Sequence, residues 1–397
     1  MRISTNTLQL QWLNSFSQRQ QDLSAIQEQV NTGQRVHTAK DDPAGAAQMS
    51  LLEQGLKRLD DYKANADTAR RRLSLTEGAL TKAGDMLDRV RELAIQAGGG
   101  TQSEESRVAL ANEARELLRG LIDVANSQDG EGRYLFAGNR VHDLPFVLSG
   151  NTVSYTGDSS IRSQRIGDSR VVAENESGFE VFSAIRTGNG TFTVNAGPTN
   201  TGDAFFSNAS VTDASAWPAS TFVINFTAPD SYTVFDNGGN AVQTGSYAPG
   251  DTIGFAGIDV TLKGEPAAGD NFTVAPSRNQ NIFATVQSFI DTMESGLSNT
   301  GDRARVQSAL NLDLMNLDRA LSNLTTARSR VGSRLAVIDQ QLNSNEDLGL
   351  QYKQTLSQIR DVDFPTAISE LQLQLTGLEA AQKAFARIRS FSLFNLL

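Results

Sequence analysis

Two long proline-free blocks with heptad spacing, separated by a proline-rich middle, constrain this 397-residue chain more than any other feature. Seven of its nine prolines lie between Pro145 and Pro276, leaving only Pro43 and Pro365 outside. Proline removes an N–H and clashes with the preceding turn, so the two flanks are the stretches free to form long helices. From Leu59 apolar or small residues recur at three and four through Tyr62, Ala66, Ala69, Leu73, Thr76, Leu80, Ala83, Leu87, Val90, Ala94 and Ala97. A second series runs Leu314, Leu317, Leu321, Leu324, Arg328, Val331, Leu335, Ile338, Leu342. This is coiled-coil spacing, and its many small residues let helices approach closely. At 1.5 Å per residue each block reaches roughly 60–90 Å, so the flanks are expected to form one long antiparallel coiled-coil rod.

Boundary chemistry agrees. Asp42-Pro43 reads as an N-cap followed by proline at the first helical position, where the missing N–H costs nothing. Gly98-Gly99-Gly100 is expected to end that helix, and Thr101 with Glu104 offers a capping box for the next, which carries Leu110, Ala114, Leu117, Leu121 and Val124.

The middle differs in kind. Residues 141–276 hold 15 of the 27 aromatic residues and 5 basic against 14 acidic side chains, so nearly all of the net charge of -10 sits there. Thr221–Phe226 and Ser231–Phe235 alternate as strands do, and Asp236-Asn237-Gly238-Gly239 reads as a hairpin turn. A break near Thr187–Gly190 divides the insert into one or two small β domains. The expected organisation is an N-terminal assembly helix over 1–42, rod halves over 43–140 and 278–362, and a C-terminal assembly helix over 363–397. β units over 141–186 and 187–277 form an acidic, solvated knob between the rod halves.

Several function classes are excluded. The chain has no cysteine, so thiol catalysis, disulfides and cysteine-ligated metals are out. Its two histidines, His37 and His142, are far apart and no HExxH occurs, so no metal site is expected. The acidic balance argues against nucleic acid, and no run of 18 apolar residues is present to insert in a membrane. Gly188-Asn189-Gly190 lacks the third glycine of a dinucleotide fingerprint. Asp361, Asp363 and Glu370 could form a carboxylate group but read more simply as caps and solvated charges. Arg70-Arg71-Arg72 reads as a solvated rod face or a salt bridge between subunits. Asn208-Ala209-Ser210 and Asn271-Phe272-Thr273 match glycosylation acceptors, a pattern too short to mean much. No catalytic residue and no cofactor is expected, and the chain does not read as an enzyme.

The ends carry the functional signal. Leu13, Phe16, Leu23 and Val30 lie on one face of an N-terminal helix, with Leu8, Trp12 and Ile26 beside it. Ile368, Leu371, Leu375, Leu378, Phe385 and Ile388 repeat at three, four or seven near the other end, followed by Phe391 and Phe394. Residues 1–42 carry four basic and four acidic groups and residues 363–397 three of each, so both helices are neutral. Eight large apolar side chains represent on the order of 10–20 kcal/mol of burial at the C-terminus alone. Pairing the two ends leaves outer residues such as Leu373 and Leu396 uncovered, so packing against other subunits is expected.

A resemblance rests on these same residues. Val30-Asn31-Thr32-Gly33-Gln34-Arg35-Val36 and Ala39-Lys40-Asp41-Asp42-Pro43-Ala44-Gly45 are similar to the N-terminal signature of the flagellin superfamily of axial proteins. Leu378-Glu379-Ala380-Ala381-Gln382-Lys383-Ala384-Phe385 and the closing Ser392-Leu393-Phe394-Asn395-Leu396-Leu397 resemble its other end. Asp41-Asp42-Pro43 and Tyr134-Leu135-Phe136-Ala137-Gly138 resemble the family of third hook-associated proteins, the hook–filament junction family FlgL. The resemblance covers roughly residues 1–140 and 278–397. It implies a structural role outside the cell, at the junction of hook and filament, with export through the flagellum's own type III apparatus and no cleaved signal peptide. The implied partners are an FlgK-type first hook-associated protein, flagellin, further copies in a ring, and an FlgN-type export chaperone on the C-terminal segment. The alternative within the superfamily is a flagellin-type filament subunit. Outside it, the alternative is a cytoplasmic coiled-coil scaffold carrying a β binding domain.

Overall fold

The computed structural model describes the backbone of residues 5–99 and 102–394, with side chains at Thr7 and over 10–99 and 102–387. The chain begins with helices α1 (Thr5–Thr32), α2 (Pro43–Gly98) and α3 (Glu104–Ala125). Strands β1 (Phe146–Ser149), β2 (Thr152–Tyr155), β3 (Ser163–Arg165) and β4 (Val171–Ala173) precede the short helix α4 (Gly178–Phe182). Then come β5 (Ile185–Arg186), β6 (Phe192–Ala196), β7 (Phe205–Val211), β8 (Phe222–Ala228), β9 (Ser231–Phe235) and β10 (Ala241–Ser246). The last strands are β11 (Thr252–Phe255), β12 (Ile258–Lys263), β13 (Asn271–Pro276) and β14 (Asn279–Gln280). Helices α5 (Ile282–Glu294), α6 (Thr300–Arg360) and α7 (Phe364–Phe394) complete the chain. Long helices at both ends surround an inserted β region, which is the fold class the proline distribution predicts.

The chain forms two compact units, Met1–Ala64 with Gln341–Leu397, and Asn65–Gln340. In the second unit the α2 seam follows its heptads: Ala66, Ala69, Leu73, Thr76, Leu80 and onward to Ala97 are all buried. On α6 the buried stripe is Leu310, Leu317, Leu324, Val331 and Ile338, interleaved with Ala320 and Ala327. The sequence reading put Leu321 and Arg328 in that seam, whereas Leu321 is half-buried and Arg328 exposed. Alanine holds those positions because close helix approach needs a small side chain, which a search for large apolar residues passes over. Arg91 Nε donates to Asp318 Oδ1 at 2.6 Å and Arg70 lies 3.8 Å from Asp339, so the two helices run antiparallel.

Helix α3 starts at Ser103, whose Oγ accepts the Ser106 N–H at 3.2 Å. The expected cap, Thr101, lies outside the described residues. Helix α3 packs on α5, and buried Arg107 ties the two together. Its Nη2 donates to the carbonyls of Met293 (2.6 Å), Thr292 (3.4 Å) and Ser295, the free acceptors at the C-terminal end of α5.

The first β region is a set of small two-stranded pairings, β1 with β2, β3 with β4 and β5 with β14. Its core is aromatic. The Phe136 and Phe182 rings meet edge to face at 5.0 Å, and Phe146 lies 5.2 Å from Phe283 of α5. In the Tyr134–Gly138 motif Leu135, Phe136 and Ala137 are buried. Gly138 adopts φ +67, and a Cβ there would come within 2.3 Å of the Asp158 carbonyl oxygen.

Arginine from the helices anchors this region. Buried Glu174 pairs with Arg72 Nη1 (2.6 Å) and Arg162 Nε (2.9 Å), while Glu176 pairs with Arg330 Nη2 (2.9 Å). Arg334 Nη1 lies 2.8 Å from Glu176 Oε1 but directs its hydrogen to the Asn175 carbonyl, 3.0 Å away. The Arg70–Arg72 run therefore corrects the sequence reading: Arg70 faces outward, but Arg72 is a mostly buried ion-pair partner within its own chain.

Beyond it, the five-stranded sheet β10-β9-β8-β13-β6 and the three-stranded sheet β11-β12-β7 share one core. Alternate residues point inward, as Phe222, Ile224 and Phe226 on β8 and Ile258, Val260 and Leu262 on β12. Helix α6 holds this body through its polar side chains. Ser308 Oγ accepts the Phe206 N–H (2.9 Å), Asn311 Nδ2 donates to the Phe206 carbonyl (2.7 Å) and Asn316 Oδ1 accepts the Gly188 N–H (2.7 Å).

Candidate assembly surface

The first unit is built on two helix breaks that bond to each other. Helix α1 stops because Gly33 takes φ +71, and its N–H closes the last turn on the Gln29 carbonyl at 2.9 Å. A side chain at Gly33 would be strained and would meet the Phe364 ring at 3.5 Å. The chain then runs extended beside the break between α6 and α7. Arg35 N donates to the Arg360 carbonyl (2.6 Å), Val362 N to the Gly33 carbonyl (2.9 Å), and Gln34 pairs antiparallel with Asp361. Arg35 Nη2 adds a bond to the Ile359 carbonyl at 2.8 Å, and Val36 is buried under the crossing.

Aspartates restart both helices. Asp42 Oδ1 accepts the Gly45 N–H at 2.8 Å, with Pro43 at the first helical position of α2. Asp363 does the same for α7: its carbonyl accepts from Ala367 N (2.9 Å) and its carboxylate accepts the Thr366 hydroxyl, with Pro365 inside the first turn. Asp41 Oδ2 accepts from Thr38 N (2.8 Å), Thr38 Oγ1 (2.9 Å) and His37 N (3.3 Å). Those bonds, the Thr38 backbone first, hold its carboxyl below the usual carboxylate range. Asp361 is likewise held down by the Ser357 hydroxyl and by Arg360. The motif residues Gly33, Asp41, Asp42 and Pro43 thus shape a turn. Asp361 and Asp363 bond locally there, and neither forms a reactive carboxylate pair.

Helix α1 packs on α7 within this unit. Between them lies an open groove of about 890 Å³, walled by Trp12, Leu13 and Phe16 on one side and Gly377, Ala384 and Phe385 on the other. Of the predicted interface residues, Trp12, Phe16, Leu23, Val30, Leu371 and Leu378 are half-buried, so the helix pair covers them only in part. Ile368, Leu375 (42% exposed) and Phe385 (36%) remain open, as do Leu13 (55%) and Leu373 (71%). The side chains of Leu8, Ile388, Phe391 and Phe394, and all of Leu396, lie outside the described residues. Sequence reasoning missed the part played by Gly377, Ala380, Ala381 and Ala384. Their spacing of three and four, visible in the sequence, gathers them on the α7 wall of the groove, across from Trp12 and Phe16.

The groove contains no cluster of titratable groups, and among the described residues no set of three His, Asp or Glu side chains is placed to hold a metal ion. What it offers is apolar area along neutral helices, which suits packing against another helix.

Comparison with known proteins identifies the helical ends. Residues 3–140 match the bacterial flagellin N-terminal helical region, and residues 314–397 the bacterial flagellin C-terminal helical region. Residues 195–276 match the D2-like domain of flagellar hook-associated protein 1. Flagellar hook-associated protein 3 of Salmonella typhimurium is 24% identical, across 100% of this chain and 99% of that protein. The crystal structure of Xanthomonas campestris FlgL is 33% identical and superposes with a TM-score of 0.73, over 77% of this chain and 99% of that one. The flagellar junction protein FlgL of Legionella pneumophila is 32% identical with a TM-score of 0.71, over 80% of this chain and 100% of that one. With long helices at both ends, β structure between them and identity above 30% to solved members, the chain belongs to the FlgL family, the flagellar hook-associated proteins 3.

Proposed function

We propose that this chain is a non-enzymatic structural subunit that joins the flagellar hook, through an FlgK-type first hook-associated protein, to the flagellin filament, and that it offers the lattice on which flagellin starts to polymerise. The observation that carries the reading is the end-to-end relation to hook-associated protein 3, which reaches 99% of that protein. Residues 1–42 and 363–397 are the assembly helices. Their exposed stripe, from Leu13 to Leu373, Leu375 and Phe385, is covered by neighbouring copies in a ring and by the partners above and below. Before export the same C-terminal stripe is the surface an FlgN-type chaperone would cover. The protein then works outside the cell, having left it by the flagellar route without a cleaved signal peptide. The match of both helical ends to flagellin regions favours one second reading, a filament subunit.

Deletion of the gene separates them. The expected result is cells with hooks but no filaments and with unpolymerised flagellin shed into the medium, by electron microscopy and by assay of the culture fluid. Intact junctions with the main filament protein missing would make this chain the filament subunit. Unaltered filaments would overturn the flagellar assignment.

A further inference from the structure

We infer that Asn237 is a site of spontaneous chemical modification, losing its side-chain amide by ring closure onto the Gly238 nitrogen, and that Asn189 is protected from the same reaction. Asparagine precedes glycine at these two positions only. Glycine favours the reaction because no Cβ hinders the attack of its nitrogen and its backbone turns freely. In the step itself, the Gly238 nitrogen forms a bond to Asn237 Cγ and the Cγ–Nδ2 bond breaks. Ammonia leaves with the proton given up by Gly238. Water then opens the cyclic imide at either carbonyl, leaving aspartate or isoaspartate.

The two sites differ in how firmly these atoms are held. Asn237 is exposed at the tip of the β9–β10 hairpin. The turn is maintained by its neighbours: Asp236 Oδ1 accepts the N–H groups of Gly238 and Asn240, both at 2.8 Å, and Asp236 N donates to the Asn240 carbonyl at 3.0 Å. The Asn237 side chain has no part in that scaffold, and the bond on the attacking nitrogen is a solvent-exposed one that water can replace. At Asn189 the side-chain oxygen accepts from Thr191 N and Phe192 N, each at 2.9 Å, and its Nδ2 is buried. The would-be nucleophile there, Gly190 N, is committed to the Thr187 carbonyl at 3.1 Å, and Arg319 donates to the Asn189 carbonyl. The reaction would have to dismantle that loop.

The fold tolerates the change at Asn237. Strand β10 is an edge strand with no buried residue, so an isoaspartate that lengthens the turn by a methylene leaves the shared core of the two sheets intact. Residues 187–277 carry eight acidic side chains against Lys263 alone, and each event adds one more negative charge to them.

The test is to hold the purified full chain in mildly alkaline and mildly acidic buffer and to follow the peptides containing Asn237 and Asn189 by mass spectrometry. Methyl transfer by isoaspartyl methyltransferase reports the isomer. Conversion at Asn237 at least about tenfold faster than at Asn189, quicker in alkali and abolished in Asn237→Gln, is the expected result. Equal rates at the two sites would overturn the inference. So would an Asn237 that keeps its amide while the same peptide, excised from the protein, loses it.

Discussion

Asp313 offers a direct test of how the helical seam is built. It sits on α6 between Leu310 and Leu317, in the apolar stripe, and is 1% exposed. Thr292 Oγ1 donates to its Oδ2 at 3.2 Å, Ser288 bonds it as well, and among the described residues no cation pairs with it. Burial pushes its carboxyl up to about 7, with the nearby Asp291 charge adding to the effect and the two hydroxyls opposing it. The unfolded chain gives up this proton near the ordinary carboxylate value of 3.8, whereas the folded chain keeps it until about 7. Between those limits the unfolded state binds fewer protons, so stability falls as pH rises, by about 1.4 kcal/mol per pH unit at most. A shift of about three units corresponds to roughly 4 kcal/mol, present in full below the lower limit and lost above the upper one.

Asp313→Asn keeps the shape and the hydroxyl contacts without the ionisation. It should be neutral in acid and stabilising by about 2–4 kcal/mol at neutral pH and above. That raises the melting temperature of the second unit by roughly 5–10 °C. Thermal unfolding of both proteins across a pH series, followed by far-ultraviolet circular dichroism, measures it. Parallel pH profiles, or a variant less stable at neutral pH, would refute the account of Asp313 as a buried, protonated acid.

Other substitutions probe the remaining joints. Arg107→Met removes the donor that satisfies the C-terminal carbonyls of α5, and should cost about 2–4 kcal/mol, seen as faster amide exchange over the last turn of α5. Gly33→Ala forces a side chain into the left-handed region at φ +71, costing about 1–2 kcal/mol, and should lower the unfolding midpoint of the first unit without touching the second. Leu375→Asp changes an exposed side chain, so circular dichroism of the free subunit should be unaltered while incorporation into the flagellum fails; normal filaments from cells with only this form would count against the assembly surface.

The helical frame was legible because two strong local signals coincide there. Proline marks where a long helix is impossible, and seven-residue spacing marks which face is covered. The strands Thr221–Phe226 and Ser231–Phe235 and the turn at Asp236–Gly239 were readable for the same reason, since alternation and turn residues point to one structure. The polar interior was hidden. Nothing local tells Arg72 from Arg70 and Arg71; what separates them is that Glu174 and Asp129, distant in sequence, come to lie beside only one of the three. Asp313 is a similar case, because an acid at a seam position breaks the pattern by which seams are recognised. Small residues were under-read in both units, at Ala320 and Ala327 and again at Gly377 and Ala384, because hydrophobic size is a poor measure of closeness.

The contrast between the two helix pairings bears on function more than either does alone. Both follow three-and-four spacing, yet Leu73, Leu80, Leu87 and Leu317 are wholly buried while Leu13, Leu373 and Leu375 stay open. The buried seam has β structure and helices α3 and α5 in its own unit to complete it. Helix α1 packs on α7, and two helices cannot enclose apolar residues that lie on more than one face of each. Charge does not explain the exposure, since both ends are neutral and lack the acidic excess that solvates the β region. A surface that is apolar, uncharged and walled in part by alanine and glycine favours close packing of a further helix over hydration. The observation that would break this argument is a soluble, monomeric chain whose Leu13 and Leu373 can both be replaced by lysine with no loss of motility.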